Sequence, residues 1–237
     1  MGDPTPYVKE AHRRDIKVFI QVGSVEEAAA AAAAGVDAII AQGIEAGGHV
    51  KSTTSLSTIV PTIVSEVKPL PVIAAGGIAN GRGVVAALSL GAQAVSMGTR
   101  FLCSAEAQGT DEYKQRIVKS KAEDTIYTSL FDLGWPAPHR VLRNKAVEDW
   151  EAAGRPASGQ RPGEGTIIGT IDLFGNTMQV PKFSAVSAFT AFVGDMEYIA
   201  LYAGESCGLV NDIKPAAEIV RDLVREAEDV LAQLKRM

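Results

Sequence analysis

Residues 71–103, PVIAAGGIANGRGVVAALSLGAQAVSMGTRFLC, contain two strand–helix units in succession. The short apolar runs Pro71–Ala75 and Ala94–Met97 predict buried strands, because they are rich in small and β-branched residues. Between them, Val84–Leu90 has an apolar helical pattern. Gly91 follows it at the position where a helix end favours a left-handed backbone. This stretch therefore predicts two neighbouring parallel strands joined by a helix.

Both predicted strands end in glycine turns, Gly76-Gly77 and Gly98-Thr99. The carboxyl ends of parallel strands meet at one edge of a sheet, where bare backbone N–H groups can hold a phosphate. In a (β/α)₈ barrel this phosphate site lies on the loops after the last two strands. Tight turns that serve only the backbone are the alternative. Two such turns around one unit favour phosphate binding.

The chain before residue 71 repeats the same alternation. Two further strands are predicted at residues 17–22 and 37–42, and helices at residues 25–34 and 56–67. Ser24 and Glu27 have the spacing of a capping box at the start of the first of these helices. Four apolar strands alternating with helices predict a parallel sheet with right-handed crossovers.

After Phe101 the alternation stops. We expect residues 106–205 to form a helical insertion that covers the site as a lid or an interface, with Trp135 and Trp150 in its core and a flexible polar stretch at residues 152–166. Residues 214–237 predict an amphipathic closing helix. Its apolar stripe is expected to contain Ile219, Leu223, Val230 and Leu234.

The predicted fold class is α/β, a TIM-type barrel of which the last four βα units are present. The predicted domains are residues 1–105 (barrel half with the phosphate site), 106–205 (insertion) and 206–237 (closing helix). Four units leave two open strand edges. We therefore expect strands on another chain, a second copy in a homodimer, or a complementing N-terminal half.

Composition excludes several classes of protein. The 237 residues carry a formal net charge of −5, which argues against partners that need a basic surface, namely nucleic acids and anionic membranes. No apolar run is long enough to span a bilayer. Cys103 and Cys207 are far apart and lack metal-type spacing, so we expect no metal site, reduced thiols and a cytoplasmic location.

Three segments together carry a family resemblance: QGIEAGGH (42–49), residues 71–101, and YAGESCGLVNDIKPAAEIV (202–220). In order and spacing they closely resemble nitronate monooxygenases, the FMN enzymes formerly called 2-nitropropane dioxygenases. The similarity covers the carboxyl-terminal half to two-thirds of the family's chain. It implies a TIM-type barrel with an inserted helical domain and FMN as cofactor. It also implies oxidation of alkyl nitronates, or nitroalkanes, by O₂ to a carbonyl compound and nitrite.

The resemblance also assigns roles to residues. His49 matches the family's active-site histidine, and Gln21 matches a polar residue that contacts the flavin. Ala46 and Gly47 belong to the loop that carries His49 and are expected to contact the cofactor. The pairs Gly76-Gly77 and Gly98-Thr99 match the backbone donors to the FMN phosphate.

The chemistry of His49 agrees with this role. A histidine after a glycine pair at a strand end is poorly covered, and an imidazole there can take a proton from a carbon acid or donate to a nitronate oxygen. A surface residue is the alternative. For Glu45 a solvated charge or a helix-facing salt bridge is favoured over orienting His49, and for His139 a structural role in a turn. Arg100 is expected either to reach the phosphate or to seal the barrel floor.

Two other functions remain open from the sequence. One is an FMN-dependent enoyl-ACP reductase-like oxidoreductase, whose corresponding loop also contains a GGH element. The other is a non-catalytic or assembly-dependent half-barrel, which the small number of βα units favours.

Overall fold

The computed structural model describes residues 3–173 and 175–236. In chain order its helices and strands are α1 (Thr5–His12), β1 (Phe19–Val22), α2 (Val25–Ala33), β2 (Ala38–Gln42), β3 (Gly48–His49), α3 (Leu56–Glu66), β4 (Val72–Ala75), α4 (Gly81–Ser89), β5 (Ala94–Ser96), α5 (Thr99–Leu102), α6 (Asp111–Lys119), β6 (Thr125–Thr128), β7 (His139–Leu142), α7 (Lys145–Ala152), β8 (Ile167–Leu173), β9 (Asn176–Pro181), β10 (Phe192–Gly194) and α8 (Ala216–Leu234).

The described residues divide into two units. The first contains the described residues up to Ala46, Val50–Met97, and the described residues from Ala217 on. The second contains Gly47–His49 and Gly98–Ala216.

The first unit is an α/β unit with a parallel sheet, as predicted. Its four strands lie in the order β1-β2-β4-β5, and each pair is parallel. One register row faces the helices and lies in the apolar core, because its members are short or branched side chains that pack against helices α2, α3 and α4. That row consists of Val22, Ala41, Ala74 and Val95.

The neighbouring row points to the opposite face, since successive side chains in a strand alternate. It consists of Gln21, Ile40, Ile73 and Ala94. Gln21 and Ala94, at its two ends, are exposed. Phe19, on the edge strand β1, is also 55% exposed.

The predicted capping box at α2 forms with a shift of one residue. Ser24 accepts the backbone N–H of Glu27 at 3.2 Å. The Glu27 carboxylate accepts the N–H of Gly23 at 2.8 Å rather than that of Ser24. Both bonds satisfy donors at the start of the helix, so the predicted helix boundary is correct.

Helix α8 only partly follows its predicted stripe. Ile219 is 1% exposed, and Leu223 and Val230 are half-buried. Leu234 is exposed, as are Val220, Val224 and Leu231 on the adjacent side of the helix.

The second unit corrects the prediction of a helical insertion. It contains two antiparallel three-stranded sheets, in the orders β10-β8-β9 and β3-β7-β6, besides its short helices. The residues of β8 and β9 are two β-branched runs around a turn that contains Gly175 at a φ of +80°. This is a hairpin pattern. The expectation of a helical insertion overlooked it.

The polar stretch at 152–166, expected to be flexible, is held by a buried arginine. The Arg161 side chain is 2% exposed and forms ion pairs with Asp132 (2.7 Å) and Glu164. Its guanidinium lies 4.6 Å from the centre of the Phe183 ring. The arginine therefore ties this loop to the core of the unit, which composition alone does not indicate.

The limits of the second unit differ from the predicted domain limits at residues 106 and 205. Arg100 forms an ion pair with Asp212 at 2.8 Å. Glu106 accepts the backbone N–H of Ala216 at 2.9 Å. These contacts join residues 98–106 to residues 206–216, so both segments belong to the second unit.

Candidate functional site

In the first unit, the conformation of the loop after β2 depends on Gly43 and Glu45. The Glu45 carboxylate accepts the N–H of Leu56 at 3.0 Å, the first N–H of α3. A side chain on Gly43 would overlap Glu45 and the backbone of Leu56. Glu45 therefore caps α3 through a backbone hydrogen bond, which differs from the expected solvated charge or salt bridge, because carboxylates are favourable at helix N-termini.

Gly76 and Gly77 directly follow β4 in the same unit. Their φ angles are +114° and +69°, which is backbone that other residues rarely adopt. A Cβ on Gly76 would lie 3.0 Å from the backbone nitrogen of Ala46, whereas one on Gly77 would make an ordinary contact at 3.5 Å. Among the described residues, no hydrogen bond takes the backbone N–H of either glycine. The turn thus presents backbone donors of the kind that a phosphate requires.

The start of the next helix, α4, is already capped. Asn80 accepts the N–H of Gly83 at 3.0 Å, and Glu226 of α8 accepts the N–H of Gly81 at 2.9 Å. The Glu226 carboxylate would repel a phosphate. A phosphate at this strand end would therefore have to bind to the Gly76-Gly77 turn.

Gly98 and Thr99 begin the second unit. Thr99 is buried, and its hydroxyl accepts the N–H of Gly204 at 2.9 Å. A Cβ on Gly98 would meet nothing within 4 Å. The Thr99 side chain thus holds the 204 region in place, which leaves the backbone of Gly98 and Thr99 as the donors for the predicted phosphate contact.

Arg100 has a structural role inside the second unit. Besides its ion pair with Asp212, it donates to the Asp212 carbonyl at 2.9 Å and is 5% exposed. Of the two alternatives from the sequence, these bonds fit a sealing role better than a reach for phosphate.

The other residues predicted to bind the cofactor differ in exposure and packing; they are Gln21, Ala46 and Gly47. Gln21 is exposed on β1 and lines an open cavity of about 160 Å³ together with Glu27 and Lys51. Ala46 is buried, and its N–H closes a turn onto the Gly43 carbonyl at 3.1 Å. A side chain on Gly47 would overlap the backbone of residues 203 and 204, so close packing requires glycine there.

His49 lies in an aromatic cluster of the second unit, which we call the histidine cluster: His49, Trp135, His139 and Tyr202. The Trp135 indole stacks on the His49 imidazole, with 4.4 Å between ring centres and 23° between planes. His139 meets His49 edge-on at 5.9 Å, and Tyr202 lies tilted at 5.4 Å. The strand pairing produces this arrangement, because β3 pairs with β7 with His49 opposite His139.

Burial lowers the pKa of the His49 imidazole below its ordinary value of 6.5. Low-polarity surroundings disfavour the charged form of histidine. His49 is therefore neutral near pH 7, and a neutral imidazole can accept a proton.

His139 is a structural histidine, as the sequence favoured. It is fully buried, its Nε2 accepts the N–H of Phe131 at 3.1 Å, and its Nδ1 lies 2.9 Å from the Ala137 carbonyl. Because Nε2 accepts a hydrogen bond, the proton of the neutral ring must be on Nδ1, which donates to Ala137. Both ring nitrogens are occupied, so His139 has no nitrogen available for catalysis.

Tyr202 also has a structural role. Its hydroxyl donates to the Ala185 carbonyl at 2.9 Å, and burial raises its pKa to about 12. At neutral pH it is a phenol that packs against His49.

Two members of the histidine cluster were missed or misplaced by the sequence. Trp135 was expected in the core of the insertion but is 58% exposed, because one indole face covers His49 and the rest is open. Tyr202 was not singled out, although it begins the third segment that carries the family resemblance. Its place at the start of that segment, YAG, was the available signal.

The described residues contain neither a membrane-spanning helix nor a metal-binding cluster. No helix among them is long and apolar enough to cross a lipid bilayer. No group of three or more His, Cys, Asp or Glu side chains among them is arranged to hold a metal ion.

Comparison with known proteins identifies related sequences. A family model described as nitronate monooxygenase matches residues 1–226. The chain is 33% identical to a putative monooxygenase from Mycobacterium tuberculosis and 33% identical to a nitronate monooxygenase from Neurospora crassa. Each alignment covers 99% of this chain and 60% of the relative. The chain therefore spans about three-fifths of the length of these curated relatives.

Solved structures give a matching fold. FabK from Thermotoga maritima is 35% identical with a TM-score of 0.76, over 99% of this chain and 68% of that chain. A nitroalkane oxidase from Streptomyces ansochromogenes is 24% identical with a TM-score of 0.73, over 97% of this chain and 62% of that chain. The latter likeness shows a shared fold.

Proposed function

The chain belongs to the nitronate monooxygenase family, and from this premise we propose that it takes part in FMN-dependent oxidation of alkyl nitronates or nitroalkanes. The reaction would use O₂ and yield a carbonyl compound and nitrite. The observation that carries the proposal is the neutral, aromatic-packed His49 in the EAGGH loop.

The role of His49 follows from its protonation state. With a nitroalkane, the imidazole would accept the proton on the carbon next to the nitro group, and the C–H electron pair would move into that group to give the nitronate. With a nitronate, that proton is already absent, and the ring would donate a hydrogen bond to a nitronate oxygen. Loss of His49 should therefore be more damaging for the neutral nitroalkane.

FMN would supply the redox chemistry when bound. We propose that Gly76 and Gly77 donate backbone N–H groups to its phosphate, and their left-handed turn with unused donors supports this. Gly98 and Thr99 would add further backbone donors, and Gln21, Ala46 and Gly47 would contact the remainder of the cofactor. The TIM-type barrel around such a site is part of the same proposal.

A matched pair of histidine variants tests the function. His49→Gln should release nitrite from a nitroalkane at least about 100-fold more slowly, because general base catalysis contributes roughly that much. The same substitution at exposed His12, which forms an ion pair with Asp37 in the first unit, should change the rate less than twofold. FMN absorbance of each purified variant gives the cofactor content. Undiminished nitrite release by His49→Gln at equal FMN content would refute the assignment.

The second candidate is an FMN-dependent enoyl-ACP reductase-like oxidoreductase, and the similarity to FabK is the observation that favours it. The two functions differ in their electron donor. NAD(P)H consumption with an enoyl thioester would support the reductase, whereas O₂ uptake with propionate 3-nitronate would support the oxidation of nitronates.

Assembly with further strands is the third proposal, and the two edges of the sheet favour it. Phe19 on β1 is 55% exposed, and Ala94 and Ser96 on β5 are exposed. Open edges of this kind are pairing surfaces. If the partner is a second copy, light scattering will give twice the mass of the chain. A colourless monomer that becomes yellow and active only with an added N-terminal half would indicate a complementing polypeptide.

A further inference from the structure

Trp135 is an unusual surface residue, because more than half of its indole is exposed while one face lies flat on the His49 ring. The stack, with ring centres 4.4 Å apart, restricts how far the imidazole can rotate.

The segment that carries Trp135, residues 131–137, is called the tryptophan loop here. Its backbone is fixed by two short turns: the N–H of Trp135 donates to the Asp132 carbonyl at 3.1 Å, and the N–H of Ala137 donates to the Trp135 carbonyl at 2.9 Å. Gly134, with a φ of +92°, is the third residue of the first turn and allows the chain to reverse there. The indole therefore projects from a defined backbone.

Both ends of the tryptophan loop are held by the same buried ring. His139 accepts the N–H of Phe131 at one end and donates to the Ala137 carbonyl at the other. The Asp132 carboxylate adds an ion pair with buried Arg161 at 2.7 Å. A loop fixed at its ends and in its middle can hold its side chain at a constant place.

We call the two hydrogen bonds of His139 to Phe131 and Ala137 the clamp. The register between two strands connects the clamp to the backbone of His49. His49 on β3 lies opposite His139 on β7 in the antiparallel pair, and the next residues, Gly48 and Arg140, are also paired. The backbone that holds the clamp is thus hydrogen-bonded to the backbone that carries His49.

We propose that Trp135 is a positioning residue for His49, presented by a tryptophan loop that His139 clamps. Trp135 keeps the imidazole in one orientation, so that its reacting nitrogen meets the substrate correctly. This inference rests on the proposed catalytic role of His49 only for its effect on turnover. The orientation itself can be measured without any reaction.

Histidine-labelled NMR tests the orientation directly. The chain has three histidines, so the ring Cε1–H spectrum contains three signals, and His49→Gln identifies that of His49. In the native chain the His49 signal should be shifted upfield by the indole ring current. Trp135→Ala should move it downfield and narrow its line as the ring gains mobility. Trp135→Phe should keep the restricted line width, and Phe189→Ala, which removes another exposed ring of the second unit, should leave the signal unchanged.

Turnover then tests the consequence. Trp135→Ala should lower kcat by about tenfold to 100-fold with KM nearly unchanged, since misplacement of a catalytic group by about 1 Å costs this much. Trp135→Phe should restore most of kcat. An unchanged His49 signal in Trp135→Ala, or a changed signal with native kcat, would overturn the inference. If the native chain oxidises no nitronate or nitroalkane, the proposed function fails, and the NMR comparison still decides whether Trp135 positions the ring.

Discussion

Protonation of His139 should destabilise the second unit as the pH falls below 6.5. In the folded chain Nε2 accepts the N–H of Phe131, and a protonated ring would place two donors against each other in a fully buried site. Burial is the main cause that lowers the pKa of this imidazole, and nearby His49 lowers it further. In the unfolded chain the ring titrates near its ordinary 6.5.

The sign of the effect follows from proton binding. Between 6.5 and the lower folded pKa, the unfolded chain binds more protons at this site than the folded chain. Stability from this site is therefore complete above pH 6.5 and is lost on acidification towards the folded pKa. One such proton gives a slope of up to about 1.4 kcal/mol per pH unit within that window.

Urea unfolding followed by tryptophan fluorescence is the appropriate assay. Trp135 and Trp150 both lie in the second unit, so the signal reports that unit alone. His139→Gln should be less stable than the native chain at pH 7.5, by about 1–3 kcal/mol for the lost buried hydrogen bonds. Its unfolding free energy should then vary less with pH, so the difference from the native chain should shrink by pH 5.5.

His49→Gln is the comparison, because it removes the other histidine with a lowered pKa and keeps the clamp. It should leave the contribution of His139 in place. If the free energy of unfolding has the same pH slope with histidine or glutamine at position 139, the hydrogen bonding assigned to His139 is refuted.

Four further substitutions test the loops around the site. Arg161→Met should lower the unfolding free energy of the second unit by about 3 kcal/mol, because it leaves two carboxylates without their buried partner, and limited proteolysis should then cleave within residues 152–166. Gly77→Ala should cost about 1 kcal/mol in urea unfolding for its positive φ and weaken FMN binding in a fluorescence titration. Gly76→Ala should cost more, since its Cβ would crowd the backbone nitrogen of Ala46 at 3.0 Å, whereas a Cβ on Gly77 would make an ordinary contact; equal costs for the two glycines would contradict this. Glu45→Ala should lower stability by about 1 kcal/mol through the lost cap on α3, whereas FMN content should remain native.

Sequence periodicity was sufficient for the first unit. Short apolar runs separated by helical patterns predict βα units from local information, and β1, β2, β4 and β5 formed within two residues of the predicted limits. The capping bond of Ser24 and the turn at Gly76-Gly77 are likewise local, because each depends on residues a few positions apart.

In the second unit, the periodicity of apolar residues did not predict the strands, and the reason is again physical. Strands β3 and β7 pair although they lie about ninety residues apart in the chain, beyond the reach of any local pattern. A strand of two residues, such as Gly48–His49, has no pattern of its own and exists only through its partner.

The sequence by itself determined the α/β class of the first unit, the family of the chain and His49 as the candidate catalytic residue. The tertiary structure decided what surrounds that histidine: an exposed Trp135 on its face and a buried His139 that clamps the loop carrying Trp135. These contacts depend on the register between β3 and β7 and on hydrogen bonds within a loop distant in sequence. Motifs specify residues that are close along the chain, whereas the position and protonation of a ring depend on what folding packs against it.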